Sequence, residues 1–146
     1  MKHFLTTILL AILASASSTA YAQQTDQAPT YDVRATPAYG VLVLRKSALE
    51  AELNELLGRF SEDHPQLKLT RFEFDALVRE MERMNEMPES SIGKLTSGYG
   101  MLIVRKAALR GKIQFLLLSF TPEHPEVKSR KAELAAIKRE MREIMR

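Results

Sequence analysis

Two histidines stand in matching surroundings: His64 in Ser61-Glu62-Asp63-His64-Pro65, and His124 in Thr121-Pro122-Glu123-His124-Pro125. Each imidazole follows a carboxylate, a pairing that general bases and metal ligands use. A metal site needs three or four donors converging at fixed geometry. Each of these histidines is alone in a polar stretch beside a proline, so both are read as turn residues. Met81, Met84, Met141 and Met145 carry the thioethers that soft metals prefer. Three of them fall on or beside an apolar seam, where methionine fills gaps, and all are assigned to packing. The chain has no Cys, which excludes thiol catalysis, disulfides, thiolate metal sites and a lipidated N-terminal cysteine. No phosphate-binding glycine loop, nucleophile elbow or zinc-protease pattern is present; the six glycines are scattered. The expectation is a protein that is not an enzyme and uses no cofactor and no metal.

What positions these residues begins after an N-terminal export signal. Met1-Lys2-His3 is a short basic start, and Phe4 to Ala14 is apolar apart from Thr6 and Thr7. Small residues then lead to Ala20-Tyr21-Ala22, an Ala-x-Ala cleavage site before Gln23. The apolar run is too short for a membrane anchor, which needs about 20 residues. Cleavage after Ala22 is expected, with a periplasmic or secreted mature chain lacking a transmembrane segment. Loss of Lys2 lowers the formal charge from +3 to +2, too small an excess to suggest nucleic-acid binding.

The mature chain is written twice. At an offset of 60, Tyr39-Gly40 falls on Tyr99-Gly100, and Leu42, Arg45, Lys46, Ala48 and Leu49 fall on Leu102, Arg105, Lys106, Ala108 and Leu109. Leu56, Leu57, Phe60, His64, Pro65 and Lys68 recur as Leu116, Leu117, Phe120, His124, Pro125 and Lys128. Glu73, Ala76, Arg79, Glu80 and Met81 recur as Glu133, Ala136, Arg139, Glu140 and Met141. Gapless identity over so many positions marks a duplication.

Each unit reads as helix, tight turn, helix. Leu42, Leu49, Leu53, Leu56 and Phe60 step by 7, 4, 3 and 4, as do Leu102, Leu109, Ile113, Leu116 and Phe120. Leu67, Phe74, Leu77, Met81 and Met84 form a second seam, copied as Val127, Leu134, Ile137, Met141 and Ile144. Such spacing shares one helix face, and nothing alternates with the period of a strand. Proline favours a first helical position and disfavours helical backbone before it. The turns therefore fall at His64-Pro65 and His124-Pro125, short enough to make the flanking helices antiparallel.

The expected fold class is all-α: two tandem, coiled-coil-like antiparallel hairpins, packed as a four-helix bundle or dimerised. Residues 23–36 are expected as a flexible leader, 37–86 as the first hairpin, 87–96 as a linker and 97–146 as the second. Val41 to Leu44, Met101 to Val104 and Phe115 to Leu118 are apolar all round, which predicts that the first helices of both units are central. The expected packing residues are Tyr39, Leu42, Leu49, Leu56 and Phe60, with Tyr99, Leu102, Leu109, Leu116 and Phe120. Glycine weakens a helix start, so Gly40 and Gly100 predict close approach in both copies.

The halves differ in charge. Tyr39 to Met84 holds 7 basic and 9 acidic residues, and Tyr99 to Arg146 holds 11 and 5. That asymmetry fits hairpin-on-hairpin or head-to-tail association, or a basic face for an anionic envelope surface such as lipid or polysaccharide.

Leu53 to Leu77 (LNELLGRFSEDHPQLKLTRFEFDAL) and Ile113 to Ile137 (IQFLLLSFTPEHPEVKSRKAELAAI) resemble the periplasmic helical-hairpin segment of polysaccharide chain-length determinant proteins. The shared pattern is an aromatic residue, a polar turn, a His-Pro step and a hydrophobic residue two positions on. Phe60, His64, Pro65 and Leu67 match it, as do Phe120, His124, Pro125 and Val127. That family has flanking transmembrane helices, for which this chain has no counterpart after the signal. The resemblance implies an envelope coiled-coil hairpin. Together these readings point to an exported, non-enzymatic protein acting through helix-mediated contacts with a partner or with itself. A periplasmic chaperone for unfolded clients and a peripheral binder of anionic lipid or polysaccharide are the alternatives.

Overall fold

A computed structural model of the chain describes residues 32–146; the expected export signal and cleavage site, with Ala20, Ala22 and Gln23, fall outside the described residues. Among the described residues the structure is all-helical, without strands. Helices α1 (Pro37–Arg59) and α2 (Pro65–Asn85) make the first hairpin, and α3 (Ser97–Leu116) and α4 (Pro125–Met145) the second. None of these helices is long and apolar enough to cross a membrane.

The helix starts follow from local chemistry. Thr36 and Thr96 precede α1 and α3, and each hydroxyl accepts the N–H three residues on, Tyr39 and Tyr99, at 3.2 Å. His64 and His124 precede α2 and α4 with non-helical backbone, as the following proline demands. Their Nδ1 atoms accept the N–H groups of Gln66 and Glu126 at 3.3 Å. Phe60 and Phe120 are not core residues, contrary to expectation. They are 38% and 42% exposed, and their rings stack on His64 and His124 at 3.9 and 4.1 Å. The aromatic-to-histidine spacing thus builds a brace across the turn, holding each imidazole where it caps the next helix.

The two hairpins share one core in which α3 is the hub. It packs against α1, α2 and α4, most extensively against α2. Leu42, Leu49, Leu77 and Met84 from the first hairpin are buried with Leu95, Tyr99, Ile103 and Leu109. Fully burying a Leu, Ile or Met side chain contributes about 1.5–3 kcal/mol, so this shared cluster dominates cohesion between the halves.

The structure corrects two expectations. The first helices are not equally central. α1 lies to one side, with Leu44 74% and Val43 40% exposed, because α4 packs along α3 and does not extend over α1 as α2 does. Nor is the leader wholly irregular up to 36. Asp32 caps a single 3-10 turn, Val33–Ala35, and Val33 is buried, so this stretch belongs to the folded body. The linker is structured as well. Glu89–Lys94 forms a 3-10 helix, Leu95 is buried and its carbonyl accepts the N–H of Ala38 at 3.1 Å. Lys94 Nζ donates to the Met145 carbonyl at 2.8 Å, tying the linker to the end of α4.

Close packing falls on the second copy alone. A Cβ on Gly100 would sit 2.8 Å from the Ala38 carbonyl oxygen, and one on Gly111 would sit 2.7 Å from the Glu73 amide nitrogen. A Cβ on Gly40 would meet nothing within 4 Å, which overturns the symmetric expectation. The same substitution should therefore have opposite signs. Gly100→Ala and Gly111→Ala should each cost about 1–3 kcal/mol through overpacking against backbone. Gly40→Ala should gain about 0.5–1 kcal/mol by raising helix propensity. Urea denaturation of the three variants is the check, and equal effects at Gly40 and Gly100 would contradict this packing.

Candidate functional site

Polar contacts define how the helices are held. Arg45 on α1 donates from Nε and Nη2 to Glu73 Oε1 on α2, at 2.9 and 2.5 Å. The second hairpin repeats the pair: Arg105 Nε donates to Glu133 Oε1 at 3.1 Å, with Nη2 on the same oxygen. These four residues recur at the 60-residue offset, and that recurrence was the signal from which the pairing was readable. The bridge itself was not among the sequence expectations. The Arg105 hydrogen bond, aided by Arg130, holds the Glu133 carboxyl below the usual carboxylate range. A lowered value means that the stabilisation is present above the ordinary carboxylate pKa and fades as pH falls through the lowered one.

Glu80 is the charged centre of the molecule. It lies on α2 and is 4% exposed. Its Oε1 accepts from Arg83 at 2.5 Å and Arg110 at 3.0 Å, and its Oε2 accepts from Lys106 at 2.6 Å. Lys106 and Arg110 belong to α3, which carries Arg105, Lys106, Arg110 and Lys112 and no acid. Glu80 is therefore the counter-charge that lets α2 lie against a wholly basic helix. Burial, with the Glu80 charge second, pushes the nearby Tyr99 hydroxyl above the ordinary phenol value. Glu140, the repeat counterpart of Glu80, is exposed and makes no salt bridge among the described residues.

The remaining expected packing residues divide by burial. Leu42, Leu49, Tyr99, Leu109 and Leu116 are buried, whereas Tyr39, Leu56 and Leu102 are half-buried. His64 and His124 each stay at their own hairpin turn as caps, and Pro65 and Pro125 are the first residues of α2 and α4. Among the described residues no three His, Asp or Glu side chains gather as a metal site would require.

What reaches solvent is apolar along α1 and α3. Val41, Met101, Val104 and Ala108 line a shallow hollow between the two helices, rimmed by Arg45, Glu73 and Arg105. Met101 is 66% exposed, and Leu44, one turn on from Val41, is 74% exposed. Contiguous exposed apolar side chains rimmed by charge are the usual composition of a protein-binding surface.

Two outcomes follow. Glu80→Gln should lower stability by roughly 3 kcal/mol, since it leaves Lys106 and Arg110 facing each other without a counter-charge. A urea midpoint within error of the parent would contradict the assignment. Arg105→Gln should raise the Glu133 carboxyl pKa toward the ordinary range, read by carboxyl-carbon NMR titration, and an unmoved titration would show that Arg105 is not its anchor.

No family model matches the chain, and neither the curated proteins nor the solved structures compared with it give a match.

Proposed function

We propose that this chain is an exported, non-enzymatic envelope protein that works by holding another protein against its helices. The observation that carries the reading is the apolar strip of Met101 and Leu44 beside the hollow lined by Val41, Val104 and Ala108, left in solvent by a body whose core is already closed. Exposing such side chains offsets part of the stability gained by burial, at about 25 cal/mol per Å². A surface of this kind is retained where a partner covers it. The secretory pattern at 1–22 points to a partner in the periplasm or outside the cell. The resemblance of both turns to envelope coiled-coil hairpins supports the same setting. The partner supplies an apolar helix face, because the strip follows two neighbouring helices, and the Arg45–Glu73 pair at its rim offers polar contacts.

The test is photo-crosslinking in cells, with the crosslinker at Leu44 or Met101 of the mature chain. One discrete protein adduct is expected from the envelope fraction, with a mature N-terminus at Gln23 by mass spectrometry. Met101→Asp in the chain with the crosslinker at Leu44, and Leu44→Asp in the chain with it at Met101, should each abolish the adduct while leaving the helical circular dichroism spectrum and the melting temperature unchanged. Loss of folding would show that the strip belongs to the core, and an undiminished adduct would show that the partner binds elsewhere.

A further inference from the structure

A second surface lies across the molecule from the apolar strip and differs in character. Arg79 of α2, Arg110, Ile113 and Gln114 of α3, and Lys131 and Leu134 of α4 line one furrow. Lys106 of α3 lines the next, with Lys138, Met141 and Arg142 of α4. The two are successive stretches of one groove. Lys106 and Arg110 are one helical turn apart on α3 and share the carboxylate of Glu80. The floor is α3, one wall is α4, and α2 forms the other wall at Arg79. From Tyr99 to Gln114 the floor runs about 22 Å at the rise of an α-helix.

The charge in this groove is one-sided. No acid is among the residues lining either furrow, and both oxygens of Glu80, which holds Lys106 and Arg110, are engaged by Arg83, Lys106 and Arg110. Arg79, Lys131, Lys138 and Arg142 have no carboxylate within salt-bridge distance among the described residues. The pattern along α4 is regular. Lys131, Lys138 and Arg142 step by 7 and 4, and Leu134, Met141 and Met145 step by 7 and 4 beside them. Met141 is buried and Leu134 and Met145 pack in part against the core, so this row seats α4 on α3 and the cations flank it on the open side, as flanking charges do beside a coiled-coil seam. Flanking charges in that arrangement select a partner whose own flanks carry the opposite sign.

We propose that the groove between α2 and α4 docks one acidic amphipathic helix of a partner protein, with Glu or Asp flanking an apolar seam of about four turns. This rests on the reading of the chain as a helix-binding envelope protein and adds the chemistry of the ligand. The partly exposed Leu134 and Met145 in the lining favour such a helix over an acidic polysaccharide, which has no apolar seam to set against them. The walls that bring Arg79 and Lys131 to one furrow make a concave site, which a planar lipid surface does not enter.

The test is fluorescence anisotropy with the full mature chain. The probe is a labelled 16-residue synthetic helix with a leucine seam flanked by glutamates; the control replaces those glutamates with lysines. The glutamate peptide is expected to bind at least ten-fold tighter than the lysine peptide, and about ten-fold more weakly at 300 mM than at 50 mM salt. A variant carrying Arg79→Gln, Lys131→Gln, Lys138→Gln and Arg142→Gln should lose ten-fold or more of that binding with an unchanged melting curve. A variant with the same charge removed elsewhere, Arg71→Gln, Lys112→Gln, Lys128→Gln and Arg139→Gln, should lose less than three-fold. Equal loss in both variants would reduce the effect to net charge and overturn the proposal. So would equal binding of the two peptides, or tighter groove-dependent binding of polygalacturonate or phosphatidylglycerol vesicles. If the glutamate peptide fails while crosslinks from Leu44 persist, the groove assignment falls and the proposed function stands. Loss of the crosslinks with retained peptide binding would have the opposite meaning.

Discussion

The contact of α2 with α3 is the constraint on which the rest of the structure depends. At Gly111 the backbone of α3 approaches that of α2 at Glu73 so closely that no side chain fits between them. Two turns further along α2, Glu80 is buried against Lys106 and Arg110. An isolated buried carboxylate would cost several kcal/mol, and a helix with four cations and no acid would repel a like neighbour. Each problem is the solution of the other, provided the two helices lie in this one register. Sliding α2 by a turn along α3 would drive Glu73 into a side chain and separate the charges. The contact therefore specifies how the hairpins join as well as holding them together.

From that junction follows the unequal use of two similar sequences. Because α2 and α4 both lie against α3, the face of α3 is consumed and that of α1 is left open. Gly100 touches Ala38 and Gly40 touches nothing. Glu80 is enclosed, whereas its copy Glu140 is exposed. Ile103 is buried, whereas Val43, its counterpart, is 40% exposed. The same asymmetry produces both candidate surfaces: an apolar strip where α1 lacks a cover, and a basic groove where Arg79 of α2 and Lys131, Lys138 and Arg142 of α4 have no carboxylate partner among the described residues.

Much of this was legible beforehand. The hairpin turns, the proline helix starts and the all-helical class follow from local rules, because the signals sit within a few residues of the effect. Which first helix would be central was not legible from hydrophobicity, since Val41 to Leu44 and Met101 to Val104 are equally apolar. The informative positions are those where the copies differ. Gly111 faces Ala51 in the alignment, and Arg110 faces Glu50, so only the second copy has both the missing side chain and the extra cation that α2 requires. Phe60 and Phe120 misled because an aromatic residue in register with a seam reads as core. Their partner was four residues on, in the turn itself.

Both proposed surfaces presuppose that the hairpins are one rigid body and not two arms on a linker. Native-state hydrogen exchange on the intact mature chain tests this most directly. Amides in the middle of α2 and of α3 should exchange with the same opening free energy, and Glu80→Gln should lower both by the same amount. If α2 and α3 open with different free energies, or if Glu80→Gln lowers only α2, the hairpins are independent units and the shared core does not hold them together.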